Sequence, residues 1–268
     1  MMYNKLIDTN DVLIETKILV RKAKEYIFQE LGRVNRDDIE EKELNSLVSY
    51  VDKNTEALLV NGLKEILPQA GLITEEDTID DRNQDFTWII DPLDGTTNFL
   101  HQIPYFSVSV GLMYKGEMIL GIVHEVTRDE QFAAVKNHGA FLNENKIHVS
   151  ELKSGKDILV ATGFPYRNDY PIDKHFETLR YFLMNTRGIR RLGSAATDLC
   201  YVAAGRLGGY YESCLNAWDV AAGALIVMEA GGKITDFGGG DDWLFGGSIL
   251  ACAPQFYPEF YSCLAPLR

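Results

Sequence analysis

Two aspartates, Asp91 and Asp94, stand three residues apart in WIIDPLDGTTNFL (residues 88–100), where an apolar run breaks at Pro92 and Gly95. In a continuing strand they would face opposite ways, but a tight turn built on Pro92 and Gly95 can swing both carboxylates inward. Glu75, Glu76 and Asp77 follow another apolar run, and Asp219 opens WDVAAGALIVMEAGG. Carboxylates meeting at one edge repel each other unless cations separate them, and oxygen-only ligands suit hard divalent ions such as magnesium. Thr96 and Thr97 follow Gly95. Successive backbone NH groups there make a nest for a phosphate oxygen. Together these features point to hydrolysis of a phosphoester, with metal ions activating water and stabilising the leaving alkoxide, and with no part for cysteine or histidine. Each also has a plainer reading: a surface turn for DPLDG, a solvated loop for the glutamates, an N-cap for Asp219 and capping alone for the threonines.

The elements that must position these residues follow from periodicity. Apolar positions at helical spacing predict a helix over 11–31, with Asn10 as cap and Gly32 as stop, and a second over 52–67, stopped by Pro68. The charged segment 37–43 reads as an exposed loop or hairpin. Strands are expected at 71–74 and 86–90, then in a hairpin of 105–114 with 118–126, continued by 131–135 and 140–149. Beyond these, strands at 158–162, 209–212, 233–236 and 248–251 alternate with helices at 171–185, 194–204 and 219–230, Ser194 capping the second and Gly231 and Gly232 closing the third. The reading is an α/β protein: an α+β N-terminal lobe (1–150) with most of the metal ligands, and an α/β C-terminal lobe (151–268) with Asp219 and substrate contacts, in one catalytic unit.

Composition narrows the class. The chain has 268 residues, 46% of them hydrophobic, and a formal net charge of −13. Such a field repels nucleic acid, which is not expected as a partner, and the sequence has neither a bilayer-length apolar stretch nor a secretory leader, so a cytoplasmic place and no membrane role are expected. Cys200, Cys214, Cys252 and Cys263 lack metal-site spacing and read as reduced thiols.

DPLDGTTNF, with the TEED element before it and WDVAAGALIVMEAGG after it, resembles the inositol monophosphatase family in order and spacing, and ATGFPYR (161–167) and RRLGSAATDL (190–199) extend the resemblance nearly end to end. The resemblance implies a layered αβαβα sandwich, usually a homodimer, and magnesium-dependent, lithium-sensitive hydrolysis of a small phosphorylated polyol or sugar by water without a covalent intermediate. It implies two or three Mg2+ ions: Glu75, Asp91 and the Leu93 carbonyl on the first, Asp91, Asp94 and Asp219 on the second, Glu75 on any third. It implies too that Thr96, paired with Asp52, orients the attacking water, that the Gly95 and Thr96 NH groups bind phosphate, and that Asp94, Ala195, Glu212 and Asn216 contact the substrate alcohol. Departures are Asn45, where the family commonly has an acid, Lys42, which matches the loop lysine approximately, and Asn216, where some relatives carry histidine.

Thr97 and Asn98 after the DGT element favour the inositol-phosphate branch, with inositol 1-phosphate the first expected substrate. Fructose 1,6-bisphosphate, 3'-phosphoadenosine 5'-phosphate, glycerol phosphate and NADP stay open. A phosphoaspartate mechanism of the haloacid dehalogenase kind places its acids two residues apart rather than three. A calcium-binding module lacks its EF-hand pattern. The remaining alternative is a partner protein for transcription or ribosomal assemblies, with Arg187, Arg190 and Arg191 as contacts or as a solvated or dimer-interface cluster.

Overall fold

The computed structural model describes residues 6–43, 46–76, 81, 84–165 and 170–268, apart from the side chains of 36, 41–43 and 46. Asn45, the Lys42 side chain, Asp77 and residues 166 and 167 lie outside the described residues.

The N-terminal helix α1 (Thr9–Glu30) is capped by Asp8, which accepts the Asn10 and Asp11 NH groups, so the cap falls two residues before the expected Asn10. Strands β1 (Ile39–Glu43) and β2 (Ser46–Ser49) pair antiparallel, making the charged segment a hairpin. Helix α2 (Tyr50–Ile66) starts before Asp52, because Ser49 is its cap and Asp52 the third helical residue, its carboxylate accepting the Ser49 NH.

The first sheet has seven strands in chain order: β3 (Gly71–Thr74), β4 (Phe86–Asp94), β5 (Ser107–Tyr114), β6 (Glu117–Glu125), β7 (Glu130–Val135), β8 (Gly139–Leu142) and β9 (Asn145–Ile147). Only β3 and β4 are parallel; the other pairs are antiparallel, as the short turns between them require. A five-residue helix α3 (Thr96–Leu100) follows β4 directly.

The second sheet, ordered β11-β10-β12-β14-β13, uses β10 (Leu159–Thr162), β11 (Gly188–Arg190), β12 (Gly209–Ser213), β13 (Lys233–Thr235) and β14 (Ser248–Cys252). Its helices are α4 (Ile172–Asn185), α5 (Ala195–Ala203), α6 (Ala217–Glu229) and α7 (Tyr257–Cys263). The periodicity did not mark β11, three residues long on the sheet edge, or α7, seven residues long.

The packing is layered αβαβα. Helices α1 and α2 cover one face of the first sheet, α5 and α6 lie between the two sheets, and α4 and α7 pack on the second. Helix α6 is apolar all round because it touches both sheets, and Val220, Ala221, Ala222, Ala224, Leu225, Ile226 and Val227 are buried. Its close approach is set by glycine. Gly111 and Gly121 face each other across β5 and β6, and a Cβ at Gly121 would lie 2.7 Å from the Ala222 carbonyl oxygen. Gly223 does the same for α5, where a Cβ would meet the Leu199 side chain at 2.8 Å.

None of the four cysteines is in a disulfide. His101, His138 and His148 are exposed; His124 is buried between Asp129 and Gln131, and burial pushes its imidazole down to about 4; His175 is buried among Phe164, Tyr170 and Tyr211. Among the described residues no helix is long and apolar enough to cross a membrane.

The Gly121 contact makes a direct test. Gly121→Val forces β6 away from the α6 backbone and is expected to cost about 2–3 kcal/mol in urea unfolding. Gly116→Asn, at a turn with φ +86° and open space around the Cβ, is expected to cost less than about 1 kcal/mol.

Candidate active site

The two aspartates do not leave the sheet at a turn, as expected, but sit inside it. β4 runs on through Asp94, with Asp91 opposite Ser109 and Asp94 opposite Ser107, so three steps on β4 match two on β5. That one-residue bulge changes the parity of the strand: residues three apart, which a regular strand points to opposite faces, share one face here. Pro92 is tolerated because it falls in the irregular stretch, where a ladder donor is not needed. The shared face is that of Ile89, toward α5 and α6, whereas Leu93 packs with the α1 and α2 core.

Asp94 is held by the start of α5. Ser194 Oγ donates to its Oδ2 at 2.6 Å, the Ala196 NH to Oδ2 at 2.8 Å and the Ala195 NH to Oδ1 at 3.3 Å. A helix N-terminus with its NH groups aimed at a carboxylate favours the charged form; burial nevertheless holds Asp94 above the usual range, against these hydrogen bonds and the Arg191 charge. The Ala195 backbone is a candidate substrate contact, and its NH is turned to Asp94.

Asp219 is not the N-cap of α6. Asn216 is, and Asp219, three residues later, accepts its NH on Oδ2 at 2.6 Å. Asn216 itself is exposed. Asp91 is buried, its Oδ1 accepting the Leu93 NH at 3.0 Å. Burial first, then the charges of Glu75, Asp94 and Asp219, push Asp91 well above the carboxylate range. For Asp219 burial is again first, followed by repulsion from Glu75, Asp94 and Glu212, opposed by the Asn216 NH. Glu75, Asp91, Asp94 and Asp219 are therefore brought together, from β4, the end of β3 and the start of α6.

Beside them, Thr96 Oγ1 lies 2.9 Å from Asp52 Oδ1 and 2.9 Å from the Leu93 carbonyl oxygen. A threonine has one hydroxyl proton to give; when Asp52 takes it, the Leu93 carbonyl is free to face a cation. Asp52 is buried, and its other oxygen accepts the Ser49 NH and hydroxyl at 2.9 and 2.7 Å, so one carboxylate both caps α2 and holds Thr96. Burial raises it, and the Ser49 and Thr96 hydrogen bonds oppose the rise. Gly95 supplies the bend, at φ +95° as the cap of α3, with a Cβ there 3.0 Å from the Gly193 carbonyl oxygen.

Glu212 approaches on β12, hydrogen-bonded by the Tyr210 hydroxyl, and burial pushes it up to about 7. Its carboxylate passes where a side chain at residue 163 would begin, since a Cβ at Gly163 would lie 1.8 Å from Oε1. Sequence reasoning missed Gly163, Tyr210 and Asp198, the last buried and hydrogen-bonded by Tyr105, and read Ser194 as the cap of α5, which it is, without its bond to Asp94. It took Arg191 together with Arg187 and Arg190, and all three are exposed. Arg187 does pair with Asp157 at 2.9 Å, but the Arg191 charge reaches Asp94, Asp198 and Glu212. The quoted ATGFPYR and RRLGSAATDL stretches were the available signal.

Among the described residues no three acidic, histidine or cysteine side chains form a metal-holding group, and Asp91, Asp94 and Asp219 each accept a backbone NH. The donor set fits a hard divalent ion all the same: it is oxygen only, it includes a carbonyl, and the mutual repulsion that lifts Asp91 and Asp219 is what such an ion relieves.

Fold and site together define a layered α/β protein whose acids, Asp91 and Asp94 buried and Glu75 and Asp219 half-buried, converge at strand and helix ends, next to a hydroxyl held by a carboxylate. The chain belongs to the inositol monophosphatase family, whose pattern matches residues 9–267. A Nus factor SuhB of Pasteurella multocida is 39% identical over 238 residues, 88% of this chain and 89% of the relative. The extragenic suppressor protein suhB of Bartonella henselae superposes with a TM-score of 0.89 at 35% identity, over 95% of this chain and 98% of that one. A Thermotoga maritima IMPase superposes at 0.87 and 32%, over 97% and 98%.

Glu212 gives a pH test of this electrostatic description. Its folded value, about 7, lies above the ordinary 4.5, so its charged form opposes folding: the cost is absent below 4.5, grows as pH rises and is complete above 7. Glu212→Gln is therefore expected to raise the melting temperature of the ion-free protein at pH 8 by a few degrees and to leave it unchanged at pH 4, read by calorimetry.

Proposed function

We propose that the protein is a magnesium-dependent phosphomonoester hydrolase, with inositol 1-phosphate as its first substrate and other sugar or nucleotide phosphates as alternatives. The contact that carries this reading is Thr96 Oγ1 on Asp52 Oδ1, at 2.9 Å, beside the converged acids. Family membership supports it, as does the IMPase name of the Thermotoga relative.

Glu75, Asp91 and the Leu93 carbonyl would hold one ion, Asp91, Asp94 and Asp219 a second, and Glu75 a third. Bound ions of this kind neutralise phosphoryl oxygens, acidify water and stabilise a leaving alkoxide. The chain's own part is positioning. With its proton given to Asp52, the Thr96 hydroxyl oxygen accepts one from the attacking water and aims that water's lone pair at phosphorus. Gly95 and Thr96 present backbone NH groups at the start of α3 to the phosphoryl oxygens. As the water oxygen bonds to phosphorus and releases its proton to solvent, the ester P–O bond breaks, and the alkoxide takes a proton from a second water and leaves as the alcohol toward Glu212, Asn216 and the Ala195 backbone. Arg191, close enough to influence Glu212, joins that end of the site.

A partner role beside catalysis is the second reading, and the Nus factor name of the Pasteurella relative supports it. Net charge alone is therefore not a ground for excluding a transcription complex. A homodimer, lithium inhibition and a cytoplasmic place belong to the same proposal.

A panel of phosphomonoesters assayed with and without magnesium and lithium tests the reading. Magnesium-dependent phosphate release from inositol 1-phosphate is expected. Asp219→Asn and Asp94→Asn are expected to abolish it while the protein stays folded, and Thr96→Ala to lower kcat about 10²–10⁴-fold. Equal turnover without any divalent ion, or in either aspartate variant, overturns the proposal.

A further inference from the structure

The end of β3 raises a question that the proposed chemistry leaves open: what fixes Glu75. The β3–β4 register ends at Thr74 opposite Ile90, one residue short of Glu75, and β3 is an edge strand. Two residues on, the Glu76 NH donates to Glu56 Oε2 at 2.8 Å. Glu56 lies on α2 and is 1% exposed, a carboxylate buried in a helix that packs on β4. Burying an acid is unfavourable unless donors meet it, and a charge-assisted bond to a backbone NH is among the stronger ones.

Glu56 also sits one helical turn after Asp52, on the same side of α2. Asp52 holds Thr96 and Glu56 holds the chain just past Glu75. A single rigid helix thus touches both the hydroxyl proposed to aim the water and the loop that carries an ion ligand. Positions on a helix vary less than positions on a loop, so spacing the two contacts along α2 sets the distance between them.

We infer that Glu56 is a positioning residue for Glu75, acting through the Glu76 NH to hold the ion ligand in register with Thr96. The inference rests on the ion site proposed above. Outer partners of ion ligands typically change affinity about 10–100-fold when removed, and that is the size expected here.

The test is calorimetric titration of the ion-free protein with Mn2+ alone, together with the melting temperature before and after addition. Glu56→Ala is expected to weaken Mn2+ binding about 10–100-fold. Glu56→Gln, whose amide oxygen accepts the same NH, is expected to stay within about threefold of the unaltered protein. Glu75→Gln should weaken binding on its own, and adding Glu56→Ala to it should change little further, because the two act on one ligand. Should Glu56→Ala fail to fold, Glu56→Asp, which draws the acceptor back by one methylene, is read in its place. A merely structural role predicts a lower melting temperature with unchanged Mn2+ affinity, and that result overturns the inference while Glu75→Gln still binds weakly. If Glu75→Gln binds Mn2+ like the unaltered protein, the ion site itself is wrong.

Discussion

The structure depends on keeping mutually repelling carboxylates in one place. Asp91 and Asp219 are driven upward by burial and by their neighbours' charges. The fold opposes the repulsion with backbone dipoles. The first NH groups of α5 meet Asp94, the Asn216 NH meets Asp219, and the Leu93 NH meets Asp91. Fixed NH groups favour the charged form without the salt bridge that would make the acids useless toward a cation.

These donors belong to the architecture itself. The bulge between Asp91 and Asp94 turns both carboxylates toward α5, and the glycines of β5 and β6 let α6 lie close to the sheet near which Asp219 emerges. Asn98 closes the arrangement: its Nδ2 donates to the carbonyls of Tyr105 and Leu192, tying the turn after β4 to the approach of α5. Residues more than ninety positions apart in the chain thereby share one frame.

Much of this was legible in the sequence. Most strands came out within a few residues because alternation and β-branching report burial directly, although β11 was missed and 140–149 is two strands, and the acids were grouped because two strand ends carry them without an adjacent lysine or arginine. The bulge was not legible, since residue types that favour a turn also favour an irregular strand. Asp52 and Asp219 were read as possible caps because an acid at the third helical residue and an acid at the cap look alike until the NH partner is seen, and in both helices the true cap lies three residues earlier. Arg191 was grouped with its neighbours by composition, and only the path of the chain from β11 to α5 separates it from them. Gly163 shows the limit most clearly: its significance is the space it gives to Glu212, a residue forty-nine positions away.

The burial of α6 on both sides has a consequence for assembly. A helix so apolar has no stable place on either sheet alone, since the face left over would be exposed to water. Its place therefore exists only where both sheets are present, and Asp219 meets the other acids only in that assembled state. The convergence of the acids is thus a property of the whole molecule rather than of either sheet.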